Sequence, residues 1–231
     1  MPEARSRVAG CAMWQHHRSP TARETDLKLY DVTAAPNPRR VRVFLAEKGI
    51  EVPTVQVDMR RGEHRTPEFL RRNPSGKVPV LELDDGTCIA ESVAICRYFE
   101  ALHPEPPLFG ADPVSIGLVD MANRQLEFEL LGPVGQAWVN GPVVARLLPD
   151  RQQIPAAKEQ GERAARAFYR RLNDQLAASR FIAGEAFSVA DITALCVIDF
   201  AAELVDLRPE DELAELWRWH AEVSSRPSAS A

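Results

Sequence analysis

The sequence lacks the features that mark exported, membrane-spanning and nucleic-acid-binding proteins. Its 231 residues include only four cysteines, scattered and without a CxxC pair, which excludes a disulfide scaffold and indicates reduced thiols. No eighteen apolar residues run together, and no apolar stretch of a secretory signal occurs near the start. With 28 Lys and Arg against 33 Asp and Glu, the net charge of −5 gives no basic field for a phosphate backbone. We therefore expect a cytoplasmic protein that binds neither nucleic acid nor membranes.

Histidine is also scarce. The five histidines show no HExxH or other metal-ligand spacing, so the sequence predicts no metal site. What the sequence does contain is typical of a globular protein, since 45% of the residues are apolar and 26% are charged. This composition suffices for a core in one large or two small domains.

The pattern along the chain predicts an extension and a first domain. Residues 1–25 combine Arg, Ser, Pro and Ala without an apolar period, which predicts a poorly ordered extension. Over 26–103, alternating and helical patterns follow in the order βαβ, short α, ββα, which predicts a small mixed sheet flanked by helices. A proline-rich linker is expected over 104–113.

The remainder of the chain, 114–231, predicts an all-helical second domain. Helices are expected at 113–131, 134–148, 155–178 and 188–204, with a shorter one around Trp217. The segment from Val189 to Phe200 is apolar nearly all round, which is typical of a helix in the middle of a bundle. The fold class is therefore α/β plus all-α.

The first candidate cluster lies where the first strand meets the first helix. Asn37 is a favoured N-cap and Pro38 suits the first helical position, so a purely structural interpretation is available. The same helix N-terminus stabilises an anion, to which Arg39 and Arg40 would add positive charge.

Two further clusters carry weaker signals. Pro79 cannot donate to a sheet ladder, so it lies at an edge, at a bulge or after a cis bond, and an exposed backbone at Val78 can hold a peptide. Ser92, which follows Glu91, has two interpretations. It is either a helix N-cap or binds, together with the Glu91 carboxylate, the ammonium and carboxylate groups of an amino acid.

The order and spacing of these segments resemble the glutathione transferase superfamily from about Leu27 to Pro227. LKLY, RVRVFLAEKGI, PEFLRRNPSGKVPVLEL and ESVAICRYF are similar to its thioredoxin-like N-terminal domain, and FIAGEAFSVADITA is similar to its helical C-terminal domain. In that second motif Ser188 and Asp191 fit a capping box, which makes Asp191 structural rather than catalytic.

The resemblance implies a binding site for glutathione, a γ-Glu-Cys-Gly tripeptide. Val78, before a cis Pro79, would pair with the cysteinyl backbone, and Glu91 with Ser92 would hold the γ-glutamyl end. Cationic side chains suit the glycyl carboxylate. The residues implied there are Lys77 and either Arg65 or His64.

The usual thiol activators of the superfamily are absent. Ala35 stands where plant-type and theta-like members place Ser and omega-like members place Cys, and Asp31 stands where tyrosine-type members place Tyr. Tyr30 is expected to point to the opposite side of the strand. The nearest match is the APN or TPN loop of nu-type and yeast-prion-like members, which implies Asn37 as the residue that stabilises the thiolate and Thr33 as the second choice.

The implied activity is that of a glutathione transferase that activates the thiol of its co-substrate glutathione for attack on a small electrophile. A glutathione-dependent disulfide or peroxide reductase using a second glutathione, and a non-catalytic glutathione-binding regulatory protein, are the alternatives. The resemblance also implies a homodimer and a role in detoxification. The mechanism needs no metal or redox cofactor.

Overall fold

The computed structural model describes residues 27–231, so the extension predicted over 1–25 lies outside the described residues. Four strands form one mixed sheet: β1 (Lys28–Asp31), β2 (Thr54–Gln56), β3 (Val80–Glu82) and β4 (Cys88–Ala90). Their order is β2-β1-β3-β4, with β1 parallel to β2 and the other two pairs antiparallel.

Helices cover both faces of this sheet. They are α1 (Pro36–Lys48), α2 (Pro67–Arg72) and α3 (Ser92–Leu102), with a 3-10 turn at Glu63–Arg65 before α2. Successive strand side chains point to opposite faces. Leu29 therefore packs into the core with α1 and α3, whereas Tyr30 packs against Phe69 of α2. The mixed sheet flanked by helices confirms the first part of the predicted fold class.

The second part of the chain is helical, which confirms the rest of the fold class. Its helices are α4 (Pro113–Gln125), α5 (Gly132–Val139), α6 (Pro142–Leu147), α7 (Pro155–Leu176), α8 (Val189–Phe200) and α9 (Ala214–Ser224). A π-helical segment, Leu126–Leu131, joins α4 to α5, and a second, Ala201–Val205, continues α8. A 3-10 turn at Pro227–Ser230 ends the chain.

The predicted limits of the first two of these helices are wrong. No break separates residues 131 and 134, because the π-helical segment runs directly into α5, whose first two residues are Gly132 and Pro133. The break falls inside the predicted helix 134–148 instead. Gly141 is extended, as is usual before a proline, and Pro142 starts α6.

The middle position predicted for α8 is confirmed, since every residue from Val189 to Ile198 is buried. The helix starts with the predicted capping box between Ser188 and Asp191. Asp191 also accepts hydrogen bonds from the Ile182 amide at 3.0 Å and from Trp219 Nε1 at 2.8 Å. These bonds give the Asp191 carboxylate a structural role.

One apolar core joins the two parts of the chain. Val41 and Phe44 of α1 and Ile95 of α3 belong to the same buried cluster as Val119 of α4 and Ile192 of α8. The helical bundle therefore packs against the layer that α1 and α3 form on one face of the sheet. Within residues 27–231, no helix is long and apolar enough to cross a bilayer.

Candidate active site

Three segments of the chain meet at one end of the sheet. In the antiparallel pairs, Val80 lies opposite both Tyr30 and Ala90. This end of the sheet is therefore shared by three segments, which follow β1, precede β3 and follow β4. The three candidate clusters singled out in the sequence, at 33–40, 78–79 and 91–92, come together there.

Helix α1 begins earlier than the sequence predicts. Pro36 is its first residue and Ala35 its N-cap, without a side-chain capping bond, so the assignment of Asn37 as N-cap and Pro38 as first helical residue is wrong. Two prolines compete for the first turn, and the fixed φ of Pro36 already suits it.

The side chain of Asn37 is therefore not used for capping. It lies half-buried in the first turn of α1, and its Oδ1 is buried without a hydrogen-bond donor among residues 27–231. Its Nδ2 also makes no hydrogen bond within that part of the chain. A side-chain amide at this helix N-terminus remains available to a ligand.

Arg39 and Arg40 do not supply the free positive field that the sequence suggested, because carboxylates neutralise both. Arg39 donates to Asp199 Oδ2 at 2.7 Å and to the Ala229 carbonyl at 3.0 Å. Arg40 is 1% exposed, and its Nη1 donates to Ser92 Oγ at 2.8 Å and to Glu127 Oε1 at 3.1 Å.

The contact of Arg40 with Ser92 is a site feature that sequence reasoning missed. One signal was present: Arg40 stands four residues before Phe44 and so shares its helix face, and an apolar Phe is typical of a buried face. A charge on a buried face requires partners, and here these come from α3 and from the helical domain.

Neither Tyr30 nor Asp31 is a thiol activator by its position. The Tyr30 hydroxyl donates to Glu82 Oε2 at 2.6 Å on the α2 side of the sheet. Burial and this hydrogen bond raise the pKa of Tyr30 to about 12. Asp31 is buried and paired with Arg42, 2.7 Å away. Thr33, the second candidate, donates its hydroxyl proton to Gln56 Oε1 at 3.0 Å.

The segment before β3 has the backbone geometry expected of a peptide-binding edge. The Val78–Pro79 bond is cis. Within residues 27–231, the N–H and C=O of Val78 make no hydrogen bond with another main-chain group. Asn73 Nδ2 donates to the Lys77 carbonyl at 2.8 Å, which fixes the loop and leaves the Lys77 side chain exposed.

Arg65 lies against the same loop. A Cβ placed on Gly76 would come within 2.8 Å of Arg65 Nη1, and Gly76 has a positive φ of 63°, so this close approach requires glycine. Burial and the neighbouring Arg65 charge lower the pKa of His64, which leaves that imidazole neutral at pH 7. Of the two alternatives, Arg65 is the one that carries positive charge.

The segment after β4 differs from the sequence prediction in its capping. Glu91 is the N-cap residue, with a positive φ of 69°, and Ser92 is the first helical residue, so the interpretation of Ser92 as N-cap is wrong. The buried Ser92 hydroxyl instead accepts from Arg40, while Glu91 is exposed.

In residues 27–231, no three His, Cys, Asp or Glu side chains come together as a metal site would require.

Known protein families match both parts of the chain. Residues 34–102 match the model of the glutathione S-transferase N-terminal domain, and residues 141–227 match that of the C-terminal domain. Glutathione S-transferase 2 of Saccharomyces cerevisiae is 39% identical over 203 residues, 87% of this chain and 86% of the relative.

Two solved structures are similar along nearly their whole length. A glutathione S-transferase domain-containing protein of Marinobacter aquaeolei is 41% identical, with a TM-score of 0.82 over 87% of this chain and 98% of that one. Gtt2 of Saccharomyces cerevisiae is 38% identical, with a TM-score of 0.82 over 88% and 98% of the two chains.

Proposed function

The chain belongs to the glutathione S-transferase family of enzymes, and from this premise we propose that it binds glutathione across the end of the sheet and ionises its thiol beside Asn37. The observation that carries the proposal is the unpaired Asn37 amide at the N-terminus of α1. It lies at the same end of the sheet as the free backbone of Val78.

Each part of the tripeptide has matching chemistry in this site. The N–H and C=O of Val78 pair with the cysteinyl backbone, as an added strand would. Ser92 at the start of α3 and the exposed Glu91 hold the carboxylate and the ammonium of the γ-glutamyl end. Arg65 and Lys77 are the cations for the glycyl carboxylate, and the neutral His64 contributes hydrogen bonding only.

Thiol activation places a definite energetic demand on the site. A free thiol has a pKa of about 8.5, so lowering it by two units requires the site to favour the thiolate by about 2.7 kcal/mol. The dipole of α1 and the Asn37 amide act together on the sulfur. Asn37 is preferred to Thr33 because the Thr33 hydroxyl already donates its proton to Gln56.

The reaction that follows is a nucleophilic substitution. The thiol proton leaves to solvent, and the sulfur lone pair forms a bond to an electrophilic carbon while the leaving group departs with the bonding electrons of its own bond. With a disulfide as substrate, the thiolate attacks one sulfur, the S–S bond breaks, and one thiolate leaves as the mixed disulfide with glutathione forms. A second glutathione then attacks the glutathione sulfur of that mixed disulfide, which releases the second thiolate and glutathione disulfide.

The test is a pH titration of bound glutathione by ultraviolet thiolate absorbance. In the wild type the thiol pKa is expected about two units below that of free glutathione, and Asn37→Ala is expected to raise it by about one unit. Tyr30→Phe is the matched control, because the Tyr30 hydroxyl faces Glu82 on the other side of the sheet. An unshifted thiol pKa in the wild type would refute the mechanism.

Steady-state assays with an aryl halide and with a small mixed disulfide decide between conjugation and reduction. Faster turnover of the halide is expected, since the described cysteines are Cys88, Cys96 and Cys196, none of which lies at the start of α1. Faster turnover of the disulfide would favour the reductase alternative.

The cytoplasmic location and the role in detoxification stay predictions.

We also propose that the enzyme is a homodimer. Val114, Leu118, Met121 and Phe128 recur along one face of α4 and the π-helical segment and are 70%, 43%, 52% and 66% exposed. Helical neighbours three and four residues apart share a face, so Val114, Leu118 and Met121 form one apolar stripe, and Phe128, about two turns after Met121, extends it. A stripe of this kind marks an interaction surface in a protein of this size.

A further inference from the structure

Three polar side chains behind the loop between β1 and α1 have no part in the proposed contacts with glutathione. Asp31 ends β1, Gln56 ends β2 and Arg42 lies in α1, and we refer to the three as the Asp31 cluster. The parallel pairing of the two strands sets Asp31 directly beside Gln56. The cluster therefore bridges the sheet and the first helix at the candidate site.

Asp31 is the buried centre of this cluster and is 1% exposed. Its carboxylate oxygens accept from Arg42 Nη1 at 2.7 and 2.8 Å, and Oδ2 also accepts from Gln56 Nε2 at 2.8 Å. A buried carboxylate is tolerated only with a charged partner and hydrogen bonds. These bonds fix the orientation of both the Arg42 and the Gln56 side chains.

The fixed side chains in turn hold Thr33 by each of its polar groups. Gln56 Oε1 accepts from the Thr33 amide at 3.2 Å and from its hydroxyl at 3.0 Å. Arg42 Nη2 donates to the Thr33 carbonyl at 2.9 Å. Thr33 itself is exposed, so hydrogen bonds rather than burial set its position.

We propose that Asp31, Arg42 and Gln56 are positioning residues for thiol activation, acting through Thr33. Only Ala34 and Ala35 separate Thr33 from the first turn of α1, and Ala35 donates to the Val32 carbonyl at 2.9 Å, so the loop is tied at both ends. The cluster thereby fixes the Asn37 amide and the helix N-terminus relative to the glutathione sulfur. The inference rests on the proposed function.

This role predicts an effect on turnover rather than on affinity. Within residues 27–231, no hydrogen bond or ion pair joins the Asp31 cluster to Val78, Ser92 or Arg65, which are proposed to supply the binding contacts. A small displacement of a catalytic group lowers the rate strongly, whereas unchanged binding contacts leave the KM for glutathione nearly constant.

The experiment compares Gln56→Leu with Thr54→Val. Both residues lie in the exposed strand β2, and among residues 27–231 the Thr54 hydroxyl donates to the Val52 carbonyl alone. In Gln56→Leu we expect a raised pKa of the bound thiol, a kcat with an aryl halide lowered about tenfold, and a KM for glutathione within about twofold of the wild type. Amide hydrogen exchange over residues 32–35 should also accelerate. Thr54→Val should match the wild type throughout.

Several outcomes would overturn the proposal. If amide hydrogen exchange over residues 32–35 is as slow in Gln56→Leu as in the wild type, the cluster does not hold the loop. If exchange is faster but kcat and the pKa of the bound thiol are unchanged, the position of the loop does not affect catalysis. If the Thr33 hydroxyl itself donates the hydrogen bond to the thiolate, Gln56→Leu frees that hydroxyl and lowers the pKa of the bound thiol. This result would also overturn the positioning role. If the thiol of glutathione bound to the wild type has the same pKa as free glutathione, the proposed function is refuted instead. The wild-type titration shows this before any variant is compared.

Discussion

At the scale of the residue, the buried guanidinium of Arg40 determines what the Ser92 hydroxyl can do. Arg40 Nη1 donates to Ser92 Oγ at 2.8 Å, and a guanidinium cannot accept a hydrogen bond. Ser92 therefore keeps its own proton for another acceptor. A carboxylate at the start of α3 is such an acceptor, and a hydrogen bond to an ionised group is about twice as strong as a neutral one.

The substitution Ser92→Ala tests this orientation. It removes a hydrogen bond to glutathione that is equally strong in the ground state and in the transition state. The KM for glutathione should therefore rise about tenfold with kcat nearly unchanged. Ser224→Ala, on α9, is the matched control and should have no effect. Steady-state kinetics with glutathione as the varied substrate give the answer, and a fall in kcat at constant KM would contradict it.

The sequence predicted which segments form the candidate site but not how their side chains are paired. The cis bond before Pro79 and the capping box of Ser188 leave a signal within a few residues, and both predictions are confirmed. Arg40 bonds to residues 52 and 87 positions away, and Gln56 lies 23 positions from Thr33. Pairings over such separations depend on the finished fold and leave no local pattern.

At the scale of the element, periodicity predicted the strands and most of the helices. The ends of the helices, and the division of the predicted helix 134–148 into α5 and α6, required tertiary information. In α7, Ala165, Phe168, Leu172 and Leu176 recur at the three- and four-residue spacing that predicts one helix face, and all four are buried. The ends were misjudged where prolines stand close together or follow glycine, as at Pro36 and Pro142. In these places several starts satisfy the local rules, and packing selects one of them.

One element, the 3-10 turn at Pro227–Ser230, is bound to α1 by the Glu47 carboxylate in addition to the bond from Arg39 to Ala229. Glu47 accepts from Arg226 Nε at 2.7 Å and Nη2 at 2.6 Å, and also from the Ser228 hydroxyl. Burial alone would raise the pKa of Glu47, but the hydrogen bonds from Arg226 and Ser228 hold it below its usual range. The folded state therefore favours the ionised form.

Glu47→Gln is expected to lower the free energy of unfolding at pH 7 by about 1–3 kcal/mol, the range for hydrogen bonds to a charged group partly open to solvent. Because the folded pKa is depressed, this stabilisation is fully present above the unfolded pKa of about 4.3 and is lost as the pH falls through the folded pKa. Urea unfolding of both proteins at pH 7 and below pH 4 measures the difference.

The control for this prediction is Glu51→Gln, an exposed glutamate shortly after the same helix. It should change the free energy of unfolding by less than about 0.5 kcal/mol at either pH. A difference between wild type and Glu47→Gln that stays constant from neutral to acid pH would contradict the linkage argument, because that difference must shrink as Glu47 becomes protonated.

At the scale of the whole molecule, the shared core explains why the site is built at the junction of the two parts of the chain. Cys96 of α3 and Cys196 of α8 lie in one buried cluster with Phe44 of α1. Arg39 and Arg40 extend from the same α1 to Asp199 and Glu127 of the helical part. Each of these contacts is long-range, so the sequence predicted two domains without predicting how α1 is held between them.

The apolar stripe at Val114, Leu118, Met121 and Phe128 leads to a prediction about assembly. An aspartate in its middle would place a charge against apolar surface without a partner, so Met121→Asp should convert the proposed homodimer to a monomer. Leu148→Asp is the matched control, since Leu148 is 54% exposed but lies outside the stripe. Sedimentation velocity at several concentrations should give the mass of two chains for the wild type and for Leu148→Asp, and of one chain for Met121→Asp. If the wild type sediments as a monomer, or if both variants dissociate alike, the stripe is not the dimer interface.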